Sequence, residues 1–409
     1  MNKNQVVSFN LVVCPAGWRD WFFLVLTNSN GEQGISEFTE SHGPKYGLLS
    51  CVHELSSQIV GQDSRRVDEI VATLRRRNRQ SLGGPTWKAI SAIENALWDL
   101  RSKTEETRIL DLLEIESQMK LDGSVQSYWS HCGTTRVRAA SIVGKLPVKT
   151  LEDLWDLGTE VQSKKFHAFK TNLLDFQGVP TVRMPGFSPE FKSPPLIDYS
   201  FKEVLEASLT AFTHDGELSA KPILDWNYNV EPDSYSPLLE VVSRFNPRWV
   251  EIDFSSPSDL LKIPKYNDVR ICTGENLLGI DSYEPYLQSD AISVISIDLL
   301  WNGLSESLKI AKRAQALGKR ITIHNYYSHF ATSMALTFYE FFSNLELLEF
   351  DLDDVQWRDS IVWRGIDLMD GDIKFEKHLG WGNVIKVEAI SKITSPSVDL
   401  YRNFIKSLS

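Results

Sequence analysis

The run Ile223-Leu224-Asp225-Trp226-Asn227 is a short apolar stretch that ends in an acidic and an amide side chain. A similar run, Trp249-Val250-Glu251, places its carboxylate 26 residues later, and Ile271–Glu275 places another after 24 more. Short apolar runs at this spacing are typical of strands that alternate with helices. The carboxyl ends of parallel strands lie at the same edge of a sheet, so we expect the three carboxylates to lie close together.

Extending the pattern in both directions marks eight candidate strands. They are Val125–Ser130, Phe166–Asn172, Ile223–Asn227, Trp249–Phe254, Ile271–Glu275, Ala291–Leu299, Ile321–His324 and Leu345–Phe350. Eight strands with helical segments between them favour a closed (β/α) barrel over an open doubly wound sheet. We therefore predict an α/β fold with a barrel domain over residues 124–365, whose active site lies at the carboxyl ends of the strands.

The chain before this pattern reads as strands followed by helices. The expected strands are Val6–Val13, Trp21–Leu26 and Gln33–Phe38. With a turn signal at Asn28–Gly31, they predict an antiparallel meander. Helical periodicity follows at Asp68–Arg75 and again after Thr86, which we expect to act as a helix N-cap. Strands first and helices second indicate a small α+β domain over residues 1–123.

Composition and charge exclude several classes of protein. The 409 residues carry 43 Lys and Arg against 54 Asp and Glu, a formal net charge of −11. Such a chain without a basic run is a poor nucleic-acid binder, because phosphate contacts need a positive surface. The longest apolar run, Trp21–Leu26, is far shorter than the roughly 20 residues of a membrane span. The N-terminus lacks the apolar region of a signal peptide, and the four cysteines lie far apart, so we expect a cytoplasmic protein without disulfides or a zinc site.

One predicted connection is unusually long. Residues 177–195 are rich in Pro and Gly and lack clear periodicity. Loops of this length are often lids or subunit contacts. The sequence leaves open whether this one has such a function or is a surface decoration.

Polar side chains stand at the ends of the predicted barrel strands. They are Lys170, Asn172, Asp225, Asn227, Glu251, Glu275, Asp298 and His324. A single Asp at such a position is more often a helix N-cap, and a single Glu is usually a solvated rim residue. Three carboxylates on consecutive strands, however, would repel one another unless a cation lay among them. Oxygen ligands without Cys or His suit Mg²⁺ or Mn²⁺ rather than zinc, so we predict a site for such a cation at the barrel mouth.

These segments resemble motifs of the mandelate racemase subgroup of the enolase superfamily. Gly274-Glu275-Asn276-Leu277-Leu278-Gly279 resembles the third metal-ligand motif of that subgroup. The other matching segments are Ala89–Leu100 (a helix before the barrel), Val125–His131 (the first barrel strand), Ala168–Thr171 (the lysine strand), Leu224–Asn227 and Trp249–Glu251 (the first two ligand motifs), and Leu348–Asp351 (the eighth-strand carboxylate). Each motif is short, but their order and spacing extend over nearly the whole chain.

The resemblance implies an N-terminal capping domain, a modified TIM barrel of the (β/α)₇β type, and a C-terminal segment, residues 366–409, that returns to the capping domain. It also implies an enzyme that abstracts the proton alpha to a carboxylate, with one Mg²⁺ per subunit and Mn²⁺ as the alternative ion. The expected partner is a small-molecule carboxylate substrate. Because the family commonly forms dimers or octamers, we also expect a homo-oligomer.

The resemblance further implies roles for the strand-end residues. Asp225, Glu251 and Glu275 would hold the metal, which would stabilise the enediolate formed when the α-proton leaves. His324 would be the general base. Asp298 would bind the other ring nitrogen of His324, fixing its tautomer and raising its basicity.

One departure from the family pattern distinguishes racemisation from dehydration. Racemases of this subgroup use a second base, the last residue of a Lys-x-Lys pair, where this chain reads Lys170-Thr171-Asn172. An amide cannot take a proton, so we expect Asn172, like Asn227, to bind substrate by hydrogen bonds. Lys170 would add positive charge beside the substrate carboxylate. With His324 as the one competent base, we predict dehydration of a sugar acid, an aldonate or aldarate, to a 2-keto-3-deoxy acid.

Further substrate contacts are expected from the eighth strand and the capping domain. Glu349 would contact the substrate carboxylate as the protonated acid, because an ionised group would repel the intermediate. By the resemblance, the loops at Cys14–Asp20 and Glu40–Gly43 cover the barrel mouth. Arg19 could bind a distal carboxylate and Trp18 could pack against a polyol chain, but a surface Arg and a packing Trp fit the sequence equally well.

Two alternative functions remain open on the sequence alone. One is a racemase or epimerase in which another residue replaces the missing Lys. The other is a non-catalytic, sugar-acid-sensing relative that has kept the pocket, although a decayed site should have lost ligands or the His324–Asp298 pair. Asp253 adds an inward-facing carboxylate whose role the sequence does not assign.

Overall fold

The N-terminal part of the chain is an antiparallel sheet followed by four helices. The computed structural model describes residues 4–40, 42–118, 123–183, 196–264 and 268–408. The strands are β1 (Val6–Ala16), β2 (Arg19–Asn28) and β3 (Gln33–Glu37), and the helices are α1 (Lys45–Ser57), α2 (Val67–Arg77), α3 (Gly84–Thr104) and α4 (Ile109–Leu112). Strand β2 lies between β1 and β3 with antiparallel pairing on both sides. This part of the chain is the capping domain.

Helix α3 connects the capping domain to other parts of the molecule. It begins at Gly84, with Pro85 in its first turn, so the predicted cap at Thr86 is wrong. Proline suits the first turn because its missing N–H would have no partner there and its φ is already helical. Asp99, which is fully buried in α3, accepts hydrogen bonds from the backbone N–H groups of Ile35 (2.8 Å) and Trp381 (2.9 Å). This carboxylate therefore links the helix to β3 and to the C-terminal part of the chain.

The second part of the chain is a closed barrel of eight parallel strands. In chain order its elements are β4 (Ser124–Trp129), α5 (Thr134–Val143), α6 (Leu151–Ser163), β5 (Ala168–Asp175), β6 (Thr181–Arg183), α7 (Lys202–Thr213), β7 (Lys221–Asp225), α8 (Tyr235–Ser243), β8 (Trp249–Glu251), β9 (Ile271–Thr273), α9 (Ile280–Leu287), β10 (Val294–Ile297), α10 (Leu299–Ala316), β11 (Arg320–Ile323), α11 (His329–Tyr339) and β12 (Leu348–Phe350). The strand order around the barrel is β12-β4-β5-β7-β8-β9-β10-β11. A parallel bridge between Ile321 and Leu345 closes it. The predicted barrel fold is confirmed.

The inward-facing residues of the barrel form an apolar layer beneath its mouth. They are Tyr128, Ala168, Ile223, Trp249, Cys272, Val294 and Leu347, all buried. Because side chains alternate along a strand, the residue two positions further on faces the same interior. That position is Lys170 after Ala168, Asp225 after Ile223 and Glu251 after Trp249. The layer above the apolar one is therefore charged.

The long connection after β5 is described only in part. Residues 181–183 form β6, which pairs antiparallel with β5, while residues 184–195 of the segment predicted as a lid or decoration lie outside the described residues. The described residues between β8 and β9 contain one helical element, a 3₁₀ turn at Pro257–Lys262.

The C-terminal segment contacts both parts of the molecule. Strands β13 (Leu368–Met369) and β14 (Asp372–Lys374) form a hairpin that pairs with β4 of the barrel. Helices α12 (Val387–Lys392) and α13 (Pro396–Leu408) follow, and Tyr401 of α13 packs its ring 5.2 Å from that of Phe22 in β2. The segment thus reaches the capping domain after first extending the barrel sheet. Across the described ranges, no helix has both the length and the apolar character that a membrane span requires.

We expect Gly274→Ala to destabilise the protein by about 2 kcal/mol or more, because overpacking and backbone strain act together there. Gly274 has a φ of 127°, and a Cβ at this position would lie 2.6 Å from the carbonyl oxygen of Ser296. Gly47→Ala in α1 is the matched control, since its Cβ would meet only ordinary contacts at 3.5 Å. Denaturant unfolding measures both variants, and equal stabilities would contradict the close approach at Gly274.

Candidate active site

Four buried charged side chains meet at the centre of the barrel mouth. The ammonium group of Lys170 lies 2.8 Å from Glu349 Oε1, 3.3 Å from Glu251 Oε2 and 3.7 Å from Asp225 Oδ2. Asp225 and Glu251 are directly opposite each other across β7 and β8, and Asn172 is opposite Asp225 across β5 and β7. The strand register therefore brings together the residues that the sequence pattern singled out on these strands.

Two further carboxylates make the mouth strongly acidic. Glu275 follows β9, and Asp253 follows β8. The side-chain amide of Asn276 donates to Asp253 Oδ2 (2.9 Å) and to Glu275 Oε1 (3.3 Å). Asp253, whose role the sequence did not assign, is thus a buried carboxylate tied to Glu275 through Asn276.

The negative charge of this cluster exceeds what Lys170 can balance. Burial raises the pKa of Asp225 to about 6 against the lowering effect of Lys170, and Glu275 adds to the rise. Burial raises the pKa of Glu251 to about 8 in the same way, and that of Asp253 well above its usual value. Carboxylates with raised pKa values are stabilised in the ionised form by any additional cation that binds among them.

The donor set of this cluster fits a divalent cation. Within the described parts of the chain, no three His, Cys, Asp or Glu side chains already converge on a point that could hold a metal ion. The chemistry of the set is nonetheless that of a hard-cation site: Asp225, Glu251 and Glu275 offer only carboxylate oxygens, and all are buried. These three residues would hold Mg²⁺ or Mn²⁺, with Asp253 adjacent.

A histidine–aspartate pair lies beside the acidic cluster. Nδ1 of His324, after β11, is 2.7 Å from Oδ2 of Asp298, after β10, and the hydroxyl of Tyr327 donates to the same oxygen. The other oxygen of Asp298 accepts the N–H of Trp301 (2.8 Å), so this residue is also the N-cap of α10. Burial would lower the pKa of His324, but Glu275, whose Oε2 lies 3.5 Å from Nε2, and the hydrogen bond with Asp298 raise it to about 10. A cation bound to Glu275 would offset the largest of these raising effects.

The expectation that Glu349 is a protonated acid is wrong. Burial would raise its pKa, but Lys170, His324 and His131 together lower the pKa of Glu349 well below its usual value. Its two oxygens accept hydrogen bonds from the Ser130 hydroxyl (2.5 Å) and the backbone N–H of Asn325 (2.9 Å). Glu349 is therefore an ionised carboxylate that orders the site.

The side chain of Asn172 is already fully engaged with other residues. Its Oδ1 accepts from the hydroxyl of Thr134 (3.1 Å), and its Nδ2 donates to Oδ1 of Asn227 (3.0 Å) and to the carbonyl of Asp225 (3.3 Å). Asn172 thus orients Asn227. Of the two amides predicted to bind substrate, Asn227 has the freer side chain.

The first loop of the capping domain reaches the barrel mouth. The indole N–H of Trp18 donates to the hydroxyl of Tyr326, and the guanidinium of Arg19 lies 4.1 Å above the Tyr326 ring. Arg19 is buried and pairs with Asp354 at 2.6 Å and with Asp351 at 3.8 Å. Its charge is therefore already balanced, which weakens the expectation that it binds a distal carboxylate. Of the second predicted loop, Ser41 lies outside the described residues, and Glu40 accepts the N–H groups of His42 and Gly43.

His131 is a titratable residue of the mouth that the sequence reasoning did not single out. His131 follows β4 and packs its ring 4.2 Å from that of Tyr326. Its Nδ1 lies 2.9 Å from the hydroxyl oxygen of Ser130. The strand-end rule that selected Lys170 also applies to His131, which directly follows the predicted strand Val125–Ser130.

Two sequence families match separate parts of the chain. Residues 13–114 match the mandelate racemase / muconate lactonizing enzyme N-terminal domain. Residues 207–390 match the enolase C-terminal domain-like family. The first match lies in the capping domain, and the second runs from α7 of the barrel to α12.

The similar proteins include a dehydratase and a provisionally assigned epimerase. A D-galactonate dehydratase of Ralstonia nicotianae is 24% identical over 308 residues, which cover 74% of this chain and 71% of that one. A provisionally assigned L-alanine-DL-glutamate epimerase from Burkholderia xenovorans, solved with magnesium and fumarate, has 30% identity and a TM-score of 0.89, covering 98% of this chain and 100% of its own. A member of the enolase superfamily from Salmonella Typhimurium, at 17% identity and a TM-score of 0.82, covers 95% of this chain and 98% of its own and shares the fold.

We expect Mg²⁺ to raise the unfolding temperature of the protein after treatment with a chelator. A cation that binds only the folded form stabilises it by about 2.7 kcal/mol at 100 times its Kd. Calorimetry with and without Mg²⁺, repeated with Mn²⁺, measures the shift. Glu275→Gln should remove most of it, whereas Glu54→Gln, on the exposed surface of α1, should leave it unchanged. Equal shifts in both variants would contradict the assigned site.

Proposed function

Because the chain belongs to the enolase superfamily, in the group of mandelate racemase and muconate lactonizing enzyme, we propose that it removes the α-proton of a sugar acid and then eliminates the β-hydroxyl group. The product would be a 2-keto-3-deoxy acid. The observation that carries this proposal is the His324–Asp298 pair, whose free nitrogen Nε2 lies 3.5 Å from the candidate metal ligand Glu275. A substrate whose carboxylate is bound by a cation at the acidic cluster would place its α-carbon near Nε2 of His324.

The residues of the mouth would have separate roles in this reaction. A divalent cation on Asp225, Glu251 and Glu275 would supply the positive charge that offsets the second negative charge of the deprotonated acid. Nε2 of His324 takes the α-proton, while Asp298 holds Nδ1–H and stabilises the imidazolium. The proton on His324 then leaves with the β-hydroxyl group as water, and the resulting enol becomes the 2-keto acid.

Two observations support dehydration as the outcome. Asn172 stands where the second base of the family's racemases would be, and its amide is bound to Thr134 and Asn227. The curated D-galactonate dehydratase is similar over most of this chain. Both favour a reaction in which a single base removes the α-proton from one face of the α-carbon.

The end of the mouth at Arg19 favours a monoacid over a diacid. Nε and Nη1 of Arg19 and both carboxylate oxygens of Asp351 are buried and lack hydrogen-bond partners among the described residues. N–H donors of Arg19 beside carboxylate acceptors of Asp351 suit hydroxyl groups, because a hydroxyl both donates and accepts hydrogen bonds. Since Arg19 is already paired with Asp354, we infer that this end receives the polyol chain of an aldonate, with Trp18 beside it, rather than the second carboxylate of an aldarate.

Epimerisation of a sugar acid is the second candidate. It shares the abstraction of the α-proton and is favoured by the similarity to the provisionally assigned epimerase at 30% identity. It requires a second base at the mouth, and the imidazole of His131 is there.

We expect the protein with Mg²⁺ to convert at least one aldonate to a 2-keto-3-deoxy acid, and aldonates faster than aldarates. A panel of both classes, assayed for 2-keto acids, measures this. Conversion of aldarates alone would contradict the monoacid assignment. No conversion of any member, with Mg²⁺ binding intact, would favour the sugar-acid sensor, and epimer formation without 2-keto acid would favour the epimerase.

We expect His324→Asn to lower turnover by a factor of about 10² to 10⁴, the usual contribution of a general base, without loss of Mg²⁺ binding. The substitution removes the proton acceptor but none of the carboxylate ligands. His167→Asn is the matched control, because His167 lies before β5 and bonds Asp372 at 2.7 Å, away from the mouth. Initial rates of both variants on the substrate that the panel identifies measure the effect, and substantial residual activity in His324→Asn would contradict its role.

A further inference from the structure

The dehydration described above does not use His131, the second imidazole of the mouth. It stands at the carboxyl end of β4, between the strands that carry Lys170 and Glu349. Its φ of 49° lies in the left-handed region, which is uncommon for a residue other than glycine and persists only where the surroundings enforce it. The side chain is buried. The barrel thus holds an imidazole in a strained backbone at the edge where this fold carries catalytic groups.

The hydrogen bonds of Ser130 define the tautomer of neutral His131. The Ser130 hydroxyl donates to Oε1 of Glu349 at 2.5 Å and lies 2.9 Å from Nδ1 of His131. A hydroxyl has one hydrogen, and an ionised carboxylate can only accept. The Ser130 hydrogen therefore goes to Glu349, and Ser130 accepts from Nδ1–H of His131. The lone pair of the ring is consequently on Nε2, and no hydrogen bond or ion pair among the described residues engages that nitrogen.

This arrangement parallels that of His324. In both cases Nδ1–H points to an acidic group, directly to Asp298 for His324 and through Ser130 to Glu349 for His131. Glu349 also accepts the backbone N–H of Asn325, the residue next to His324. Glu349 thus binds Ser130, the residue before His131, and Asn325, the residue after His324. The two imidazoles follow the strands on either side of β12.

The surroundings keep His131 neutral. Burial lowers the pKa of its imidazole well below the usual value, and the nearby charge of Lys170 lowers it further, while Glu349 acts in the opposite direction. The Tyr326 ring covers one side of His131, and Oδ2 of Asp351 lies 3.8 Å from Nδ1. A neutral imidazole with a free Nε2 has the form that a general base requires.

We propose that His131 is a second catalytic base, which gives the site an epimerase activity at the α-carbon. This rests on the proposed function, because both activities begin by removing an α-proton beside the bound carboxylate. His324 removes the α-proton of one C2 epimer. Nε2 of His131 removes the α-proton of the other epimer, and the C–H electron pair moves into the carboxylate. Protonation of that carbon by the imidazolium of His324 gives the epimer, and exchange with solvent restores both rings. His131 thereby supplies the base that Asn172 cannot.

Deuterium exchange tests this inference. The protein with Mg²⁺ is incubated in D₂O with two pairs of C2 epimers, D-galactonate with D-talonate and D-gluconate with D-mannonate, and loss of the α-proton signal is followed by NMR. We expect wild type to exchange both members of at least one pair. His131→Asn should slow exchange of one member by about 10²-fold or more and leave the other nearly unchanged, and His324→Asn should do the reverse.

His214→Asn provides a matched control. His214 caps α7 with a φ of 52°, close to that of His131, and stacks on Trp155 away from the mouth. Asn tolerates this backbone conformation at both positions. If His131→Asn does not fold, Ser130→Ala keeps the imidazole but removes the partner of Nδ1, and it should slow exchange of the same member only.

Three outcomes would overturn the inference. Unchanged exchange of both members in a folded His131→Asn variant would do so while leaving the proposed function in place. So would exchange of only one member of each pair by wild type. The absence of any exchange and any dehydration by wild type would overturn the proposed function together with the inference.

Discussion

The ammonium group of Lys170 is the one positive charge that lies within 4 Å of Asp225, Glu251 and Glu349 among the described residues. Removing one partner of a buried ion pair costs several kcal/mol, because the other charge is left without compensation. The arrangement depends on strand register, since a shift of one residue would turn each of these side chains out of the barrel. A single cation is nevertheless too little for the carboxylates present, and the proposed divalent ion would offset this deficit of positive charge.

The capping domain is bound to the segments that carry the proposed catalytic groups. The indole N–H of Trp301, two residues into α10, donates to the carbonyl of Thr39 at 3.0 Å. Ser328, four residues after His324, donates its hydroxyl to Glu37 of β3. Burial raises the pKa of Glu37 to about 7, against the lowering effect of these hydrogen bonds with Ser328. These contacts therefore link the capping domain to the segments that carry His324 and Asp298.

The sequence predicted those parts of the site that follow from the ends of short parallel strands. The strand ends placed Lys170, Asp225 and Glu251 at one mouth, and the spacing of strand and helix predicted the barrel. Properties set by distant neighbours were not predictable in this way. The ionised state of Glu349 depends on Lys170, the balanced charge of Arg19 depends on Asp354, and the tautomer of His131 depends on Ser130 and Glu349. Asp298 is both the N-cap of α10 and the hydrogen-bond partner of His324, so these two roles of a strand-end aspartate need not be alternatives.

The docking of α13 on the N-terminal sheet has a consequence for biosynthesis. Ser397, in the first turn of α13, donates to Asp20 of β2, 377 residues earlier in the chain. The capping domain therefore cannot acquire its full set of contacts on the ribosome until the last helix has been made, although its own strands emerge first. Contacts of such long sequence separation form slowly, and unfinished domains expose apolar surface. During translation, the apolar strand β2 therefore lacks part of its cover until α13 has been made, which is a state that a chaperone would protect.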